Sequence, residues 1–232
     1  INLSACLAEK GKKVLAIDMD PQGNTTSGFG VDKNGIENTL YELLLGEAET
    51  KDTIVKDVVE NLDLIPSNIN LSGAEIELVG IDDKEFILKG ITDKLRRKYD
   101  YIILDCPPSL NMLTINALTA ATSVLVPIQC EYYALEGLSQ LIHTIDLVKE
   151  RLNKRLKMEG VVFTMYDART NLSLQEVKKD LGENVYRTII PRNVRLAEAP
   201  SYGQPINIYD PRSAGAESYR LLAEEVLNRE DN

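Results

Sequence analysis

Three carboxylates carry the chemical promise of this sequence. Asp18 and Asp20 lie in Val14-Leu15-Ala16-Ile17-Asp18-Met19-Asp20-Pro21-Gln22-Gly23-Asn24, and Asp105 lies in Tyr101-Ile102-Ile103-Leu104-Asp105-Cys106-Pro107-Pro108-Ser109. Each segment is an apolar run that meets Asp and then breaks at Pro. That pattern predicts buried strands of a parallel sheet with carboxylates gathered at the carboxyl edge, where α/β proteins bind ligands. Acidic groups there suit the magnesium ion that accompanies the phosphates of a nucleotide. Asp20 is placed to orient a water for in-line attack on a γ-phosphate, because phosphoryl transfer is catalysed mainly by positioning and electrostatics. Its competing reading is a turn Asp before Pro. Asp18, two residues earlier, supports the site or holds the loop that follows.

The usual partner of such carboxylates is G-x-x-x-x-G-K-S/T, whose backbone N–H groups and Lys cradle phosphates. The sequence contains only Gly11-Lys12-Lys13, with no Gly at the required upstream spacing and no Ser or Thr after the Lys. Residue 1 is Ile, and Ile1 to Gly11 reads as the body and Gly-terminated end of a helix without a start signal. The amino terminus reads as cut. A parallel sheet deprived of a central strand would expose unpaired backbone and apolar surface, and so would be expected to be poorly stable.

The elements that position these residues follow from periodicity and punctuation. Strands are predicted at Lys13–Asp18, Leu62–Pro66, Tyr101–Asp105, Ser123–Ile128, Glu159–Met165 and Val185–Ile190. Helices are predicted at Thr39–Leu45, Asp52–Val59, Leu71–Val79, Lys84–Lys98, Ala134–Arg151, Asn171–Leu181 and Gly215–Leu227. Pro21 to Gly35 reads as a polar, Gly-containing loop directly after two Asp residues, a candidate switch. The alternation gives an α/β fold, a mostly parallel sheet with helices on both faces.

Composition narrows the classes. At 232 residues and 44% hydrophobic content, one α/β domain across residues 1–232 is expected. A net charge of -10 argues against a coat of basic charge for nucleic acid, so any DNA contact must come from a local patch. Cys6, Cys106 and Cys130 have no C-x-x-C spacing and read as small buried thiols in a reducing cytosol. No apolar stretch approaches the roughly 20 residues that span a bilayer. His143, the sole histidine, supplies neither a triad nor a metal cluster and reads as structural.

Four longer motifs occur in order: Ile-Asp-Met-Asp-Pro-Gln-Gly-Asn, Asp-Cys-Pro-Pro-Ser-Leu, Gln129-Cys130-Glu131-Tyr132-Tyr133-Ala134-Leu135-Glu136-Gly137, and Pro191-Arg192-Asn193-Val194-Arg195-Leu196-Ala197-Glu198-Ala199-Pro200. With these the sequence closely resembles the ParA/Soj partition ATPases from Ile1 to about Leu227. The resemblance implies a P-loop NTPase-like fold whose first strand and deviant Walker A loop precede Ile1. It implies that Asp20 is the hydrolytic aspartate, that Asp105 is the Walker B residue holding Mg2+ indirectly, and that Asp18 supports the metal site. Pro21 and Gln22 then belong to one switch, and Pro107, Pro108 and Ser109 to the second. Pro191 and Asn193 would surround the adenine of ATP, and Arg169 and Arg195 would grip DNA without sequence preference. The helix between Asn171 and Val185 is about one turn short of the family pattern, near the DNA face.

The activity so implied is an ATP-driven switch for chromosome or plasmid segregation. ATP closes a homodimer, the dimer binds non-specific DNA, and a ParB-type centromere-binding partner stimulates hydrolysis in the cytoplasm at the nucleoid. Without a phosphate loop in the sequence, the competing reading is a nucleotide-independent interaction module or an inactive fragment. A third, a superfamily relative such as the membrane-bound division-site ATPase MinD, an iron–sulfur carrier or an ATP-dependent ligase, is disfavoured. The carboxyl-terminal segment is acidic rather than basic and amphipathic, and a cysteine pair is missing.

Overall fold

The alternation of β1 explains the architecture. In β1 (Val14–Asp18) all five residues are buried, and successive side chains of a strand point to opposite faces. Val14 and Ala16 join one core cluster, whereas Leu15 and Ile17 join another. A strand buried on both faces belongs in the middle of a sheet covered by helices on each side. The computed structural model describes residues 1–129, 133–166 and 182–230.

Around β1 the described chain builds α1 (Asn2–Glu9), α2 (Asn24–Gly28), α3 (Leu40–Leu45), α4 (Thr50–Thr53), β2 (Val55–Val59), β3 (Leu62–Ile65), α5 (Leu71–Glu77), α6 (Ile87–Leu95), β4 (Tyr101–Asp105) and α7 (Met112–Ala120). There follow β5 (Ser123–Gln129), α8 (Tyr133–Arg151), β6 (Lys157–Tyr166), β7 (Val185–Pro191), α9 (Val194–Glu198), α10 (Ile206–Tyr209) and α11 (Ala214–Glu230). The strands form a four-stranded sheet, β2-β3-β1-β4, and a three-stranded sheet, β5-β6-β7. Every pairing is parallel except β2 with β3. This is the mostly parallel α/β fold that the sequence implies.

Helices α3, α5, α6 and α7 cover the Leu15 face through Leu40, Leu71, Leu88 and Leu113. On the opposite face α1 and α11 pack over Val14 and Leu62, and the same cluster takes in Val162, Tyr186 and Ile190 of the second sheet. Helix α11 is latched there by polar contacts as well. Arg229 lies 3.8 Å above the Tyr186 ring and donates to the carbonyls of Glu159 and Val185. Glu225 accepts from the backbone N–H groups of Arg187 and Thr188 at 2.8 and 2.9 Å. Along β4, Tyr101 to Leu104 are only partly buried, and a cavity of about 230 Å³ lined in part by Ile102, Leu104 and Arg96 lies beside it.

Several sequence expectations change. The predicted helix Asp52–Val59 is instead the short α4 followed by β2. Val55, Val58 and Val59 are β-branched residues that fit a pleated edge, and the chain reverses at Asn61, whose φ of 63° is one that Asn tolerates. Lys56 then reaches Asp63 at 2.6 Å, and the Asp57 N–H donates to the other oxygen of Asp63 at 2.9 Å. The loop predicted from Pro21 to Gly35 contains α2. Lys84–Lys98 divides into a 3-10 turn, Lys84–Phe86, and α6. Helix α7, not anticipated, is apolar on every side because it is almost wholly buried. Cys106, expected to be buried, is exposed because it lies beyond the end of β4 in the turn set by Pro107 and Pro108. His143 is exposed on α8. The predicted helix Asn171–Leu181, together with Arg169, Glu131 and Cys130, lies outside the described residues.

Candidate nucleotide site

Adjacent parallel strands bring Asp18 and Asp105 together. They are direct register partners at the carboxyl ends of β1 and β4, on strands about 4.8 Å apart. The Met19 N–H donates to the Asp105 carbonyl at 2.9 Å, extending the pairing one residue past the strand. Helix α1 begins at the same edge. The Ile1 side chain lies against Gly28 of α2. A helix amino end and two acidic groups therefore share one corner of the sheet, the former favouring anions and the latter cations.

The two carboxylates have different surroundings. Asp18 is fully buried. One oxygen accepts both the N–H and the hydroxyl of Thr26, each at 2.7 Å, and the other accepts the Asp20 N–H at 3.2 Å. Burial raises its pKa, opposed by those hydrogen bonds and reinforced by the charge of Asp105. Asp105 is exposed, and its recorded side-chain contact is the Thr25 hydroxyl at 2.6 Å. Consecutive threonines of α2 thus bind consecutive strands. Asp18 fastens the loop to the sheet, while Asp105 faces outward.

Asp20 sits just beyond β1 and is partly buried. Its Oδ1 accepts the Gln22 N–H at 2.9 Å, the Asx turn that the residue types Asp-Pro favour. Both readings of Asp20 are therefore compatible: the turn holds the carboxyl group at the edge where Asp18 and Asp105 end. The Lys33 ammonium donates to the Gln22 carbonyl at 2.6 Å, and the Ser67 hydroxyl donates to the Asp20 carbonyl at 2.8 Å. Pro21 and Gln22 form the intervening turn.

The second loop, Pro107 to Asn111, is pinned at its far end. Asn111 caps α7 by accepting the Thr114 N–H at 3.0 Å, and the Thr114 hydroxyl donates to the Ser109 carbonyl at 2.6 Å. Pro108 and Ser109 remain exposed. On the second sheet, Pro191 ends β7 opposite Tyr166. Asn193 caps α9 by accepting the Arg195 N–H at 2.8 Å. The Ala199–Tyr202 turn that follows packs on α2, with Gly203 and Gly30 in backbone contact. This joins the Pro191–Asn193 segment to the carboxylate loop, although the residues themselves do not touch the carboxylates. Arg195 is exposed and ion-paired to Glu198 at 2.9 Å and Asp210 at 3.4 Å.

Sequence reading missed Thr25, Thr26, Ser67, Lys33 and Asn111. The available signals were weak: a hydroxyl run after Gly23, and a Ser following the Pro that closes β3. Among the described residues no group of three or more His, Cys, Asp or Glu is placed to hold a metal. The exposed carboxylate of Asp105 nevertheless fits magnesium, which keeps several waters and takes few carboxylates, whereas both oxygens of Asp18 are buried and already accept hydrogen bonds.

A family model described as an AAA domain matches residues 1–158. The chain is 58% identical to the sporulation initiation inhibitor protein Soj of Bacillus subtilis over 229 residues, covering 97% of this chain and 90% of that relative. It is 51% identical to the chromosome partitioning protein ParA of Myxococcus xanthus, covering 99% and 82%. Among solved structures, cobyrinic acid a,c-diamide synthase from Mycobacterium smegmatis with bound ATP analogue and magnesium superposes with a TM-score of 0.86 at 37% identity, covering 100% of this chain and 88% of that one. With four motifs, a P-loop NTPase-like fold and near-complete alignment in agreement, the chain belongs to the Soj/ParA family of chromosome-partitioning ATPases.

Proposed function

We propose that residues 1–232 form one ATPase domain that switches a DNA-partitioning assembly. The observation that carries this reading is the in-register pair Asp18 and Asp105, with Asp20 just beyond β1. In this reading Asp20 orients the attacking water, its turn holding the carboxyl group in place before substrate arrives. Asp105 receives magnesium through water, and Asp18 keeps α2 against the sheet. The metal, when bound, neutralises charge developing on the phosphates. Pro191 and Asn193 present the β7–α9 loop to the adenine. Turns Pro21–Gln22 and Pro107–Ser109 report the phosphate state because each is tied to a site carboxylate at one end only.

The same proposal extends to assembly. ATP closes a homodimer, Arg195 exchanges Glu198 and Asp210 for DNA phosphate, and Arg169 contributes a further phosphate contact. Doubling a weak patch gives avidity without new contacts. A ParB-type centromere-binding protein then stimulates hydrolysis, and the protein works in the cytoplasm at the nucleoid. No described helix is long and apolar enough to cross a membrane.

The decisive experiment compares native protein with Asp20→Ala in MgATP binding and ATP hydrolysis. Hydrolysis is expected to fall at least about 100-fold while affinity changes by less than about threefold, the pattern of a group acting in the transition state. Unchanged hydrolysis would remove Asp20 from its role. Absence of MgATP binding by the native protein would favour the nucleotide-independent interaction module.

A further inference from the structure

The turn that carries Asp20 is gripped at the backbone carbonyls of Asp20, Gln22 and Gly23. Ser67 donates its hydroxyl to the first at 2.8 Å, the Lys33 ammonium donates to the second at 2.6 Å, and Ser27 donates both its N–H and its hydroxyl to the third at 3.0 Å. Only the Lys33 grip is charged, and a charge-assisted hydrogen bond is about twice as strong as a neutral one. The lysine stem is also close. A Cβ on Gly23 would lie 3.0 Å from the Lys33 Cδ and 2.7 Å from the Ser67 carbonyl oxygen, and the φ of Gly23 is +62°. Glycine at this position lets both segments close on the turn.

Lys33 is itself held in place. Its carbonyl accepts from the Asn68 side chain at 3.4 Å, the Val31 N–H donates to the Thr26 carbonyl at 3.2 Å, and the Asp32 carboxylate accepts the Asn34 N–H at 3.0 Å. The residue is partly buried, so its ammonium approaches Gln22 from an anchored loop. Gln22 is also the residue whose N–H binds Asp20 Oδ1 at 2.9 Å. One side of Gln22 thus engages the reacting carboxylate while its carbonyl is fixed by a cation. We propose that Lys33 is a positioning residue for phosphoryl transfer: by holding the Gln22 carbonyl it fixes the turn that orients Asp20, and so keeps that carboxyl group aimed at the attacking water without itself touching nucleotide. A lysine suits the task, because its flexible stem carries a compact ammonium with three donors. The catalytic consequence rests on the ATPase reading, whereas the grip on the turn does not.

The test compares native protein with Lys33→Met, which keeps the stem and removes the donor, and with Lys33→Arg, which keeps a charged donor. Lys33→Met should lower kcat for MgATP hydrolysis at least about tenfold and move KM by less than about threefold, because a small misplacement of a reacting group costs up to about 100-fold. Lys33→Arg should recover most of that loss. In an Asp20→Ala background, followed in single turnovers, Lys33→Met should cost nothing further, since residues that act as a unit are not additive. In nucleotide-free protein, amide hydrogen exchange at Gln22 and Gly23 should be at least about tenfold faster in Lys33→Met, with thermal unfolding unchanged. Unchanged exchange would overturn the grip on the turn, whether or not the native protein hydrolyses ATP. A rise in KM with kcat unchanged, Lys33→Arg as slow as Lys33→Met, or the same loss repeated in the Asp20→Ala background would overturn the positioning role. A native protein that hydrolyses no ATP would instead end the ATPase reading, and the catalytic role with it, leaving the exchange result to decide the grip alone.

Discussion

The two sheets solve the same problem, presenting loops at a carboxyl edge, by different means. In the first, β1 pairs with β3 and β4 in uninterrupted parallel register and is buried throughout. Its carboxylates are positioned by backbone pairing and fastened by Thr25 and Thr26. In the second, register shifts interrupt β5–β6 and β6–β7, and Met165 near the end of β6 has a φ of 50°. There side chains of α11 brace the strands from the other end, Glu225 on the N–H groups of Arg187 and Thr188 and Arg229 on the carbonyls of Glu159 and Val185. The lesson is that regular hydrogen bonding alone frames Asp18 and Asp105, whereas the strand leading to Pro191, Asn193 and Arg195 is braced by a helix far away in sequence.

The comparison is broken most severely at Asp18. Asp18→Ala leaves the buried Thr26 N–H and hydroxyl without their acceptor, and should cost about 2–4 kcal/mol in chemical unfolding. Asp105→Ala, one strand away but exposed, should change stability by less than about 1 kcal/mol, yet abolish magnesium-dependent nucleotide binding in titration calorimetry. Equal stability losses would mean that the environments of the two carboxylates are not as different as the structure has them.

Next in size is the seam between the regions. A Cβ on Gly203 would lie 2.6 Å from the Gly30 Cα, and its own φ of +65° disfavours a side chain. Gly203→Ala should therefore lower stability by about 1–3 kcal/mol, and should raise the Kd for nucleotide by moving the Ala199–Tyr202 turn off α2. Gly46→Ala, which also has positive φ but open space around it, is the control: strain without the clash.

Glu225→Gln tests the latch and should cost about 1–2 kcal/mol at neutral pH. Burial alone would push the Glu225 carboxyl up, but the N–H groups of Arg187 and Thr188, the Thr188 hydroxyl and the Arg229 charge together hold it below its ordinary value of 4.5. Its folded pKa being depressed, its stabilisation is present above 4.5 and is lost as pH falls through the folded value. Asp18 has the opposite sign. Its pKa is raised, so the ionised form costs stability, and acid relieves that cost as pH falls through its folded value. The difference between native protein and Glu225→Gln should thus shrink below 4.5 in unfolding measurements made as a function of pH.

Smallest in stability is Arg195→Ala. Its two ion pairs are exposed, and such pairs contribute little, so the unfolding midpoint should not move. DNA affinity is the informative reading. The Arg169→Ala, Arg195→Ala variant should lose non-specific DNA binding and most of its salt dependence, and retention of native affinity would remove these arginines from the interface.

Much of the frame was legible because it is written locally. An apolar run ending in Asp before Pro locates β1 and β4, and Thr39 with Glu42 and Gly46 brackets α3 by a capping box and a left-handed glycine. Strand β2 was not legible, because Val55 to Val59 becomes a strand by pairing with β3 and by the Lys56–Asp63 contact rather than by its own pattern. The same limit applies to the site. Asp18, Asp20 and Asp105 announce themselves at strand ends, but Thr25 and Thr26 are ordinary hydroxyls until folding sets them against Asp105 and Asp18, and Ser67 is silent until β3 ends beside β1. By itself the sequence located six of the strands, because hydrophobic period and turn chemistry act between near neighbours, and the order of its motifs carried the family resemblance. Only the tertiary structure decided that Asp18 is a buried anchor, that Asp105 is exposed at the sheet edge, and that Ile76 and Val79 stand exposed while Leu71, Ala74 and Leu78 are covered, because each of those facts depends on what distant segments cover.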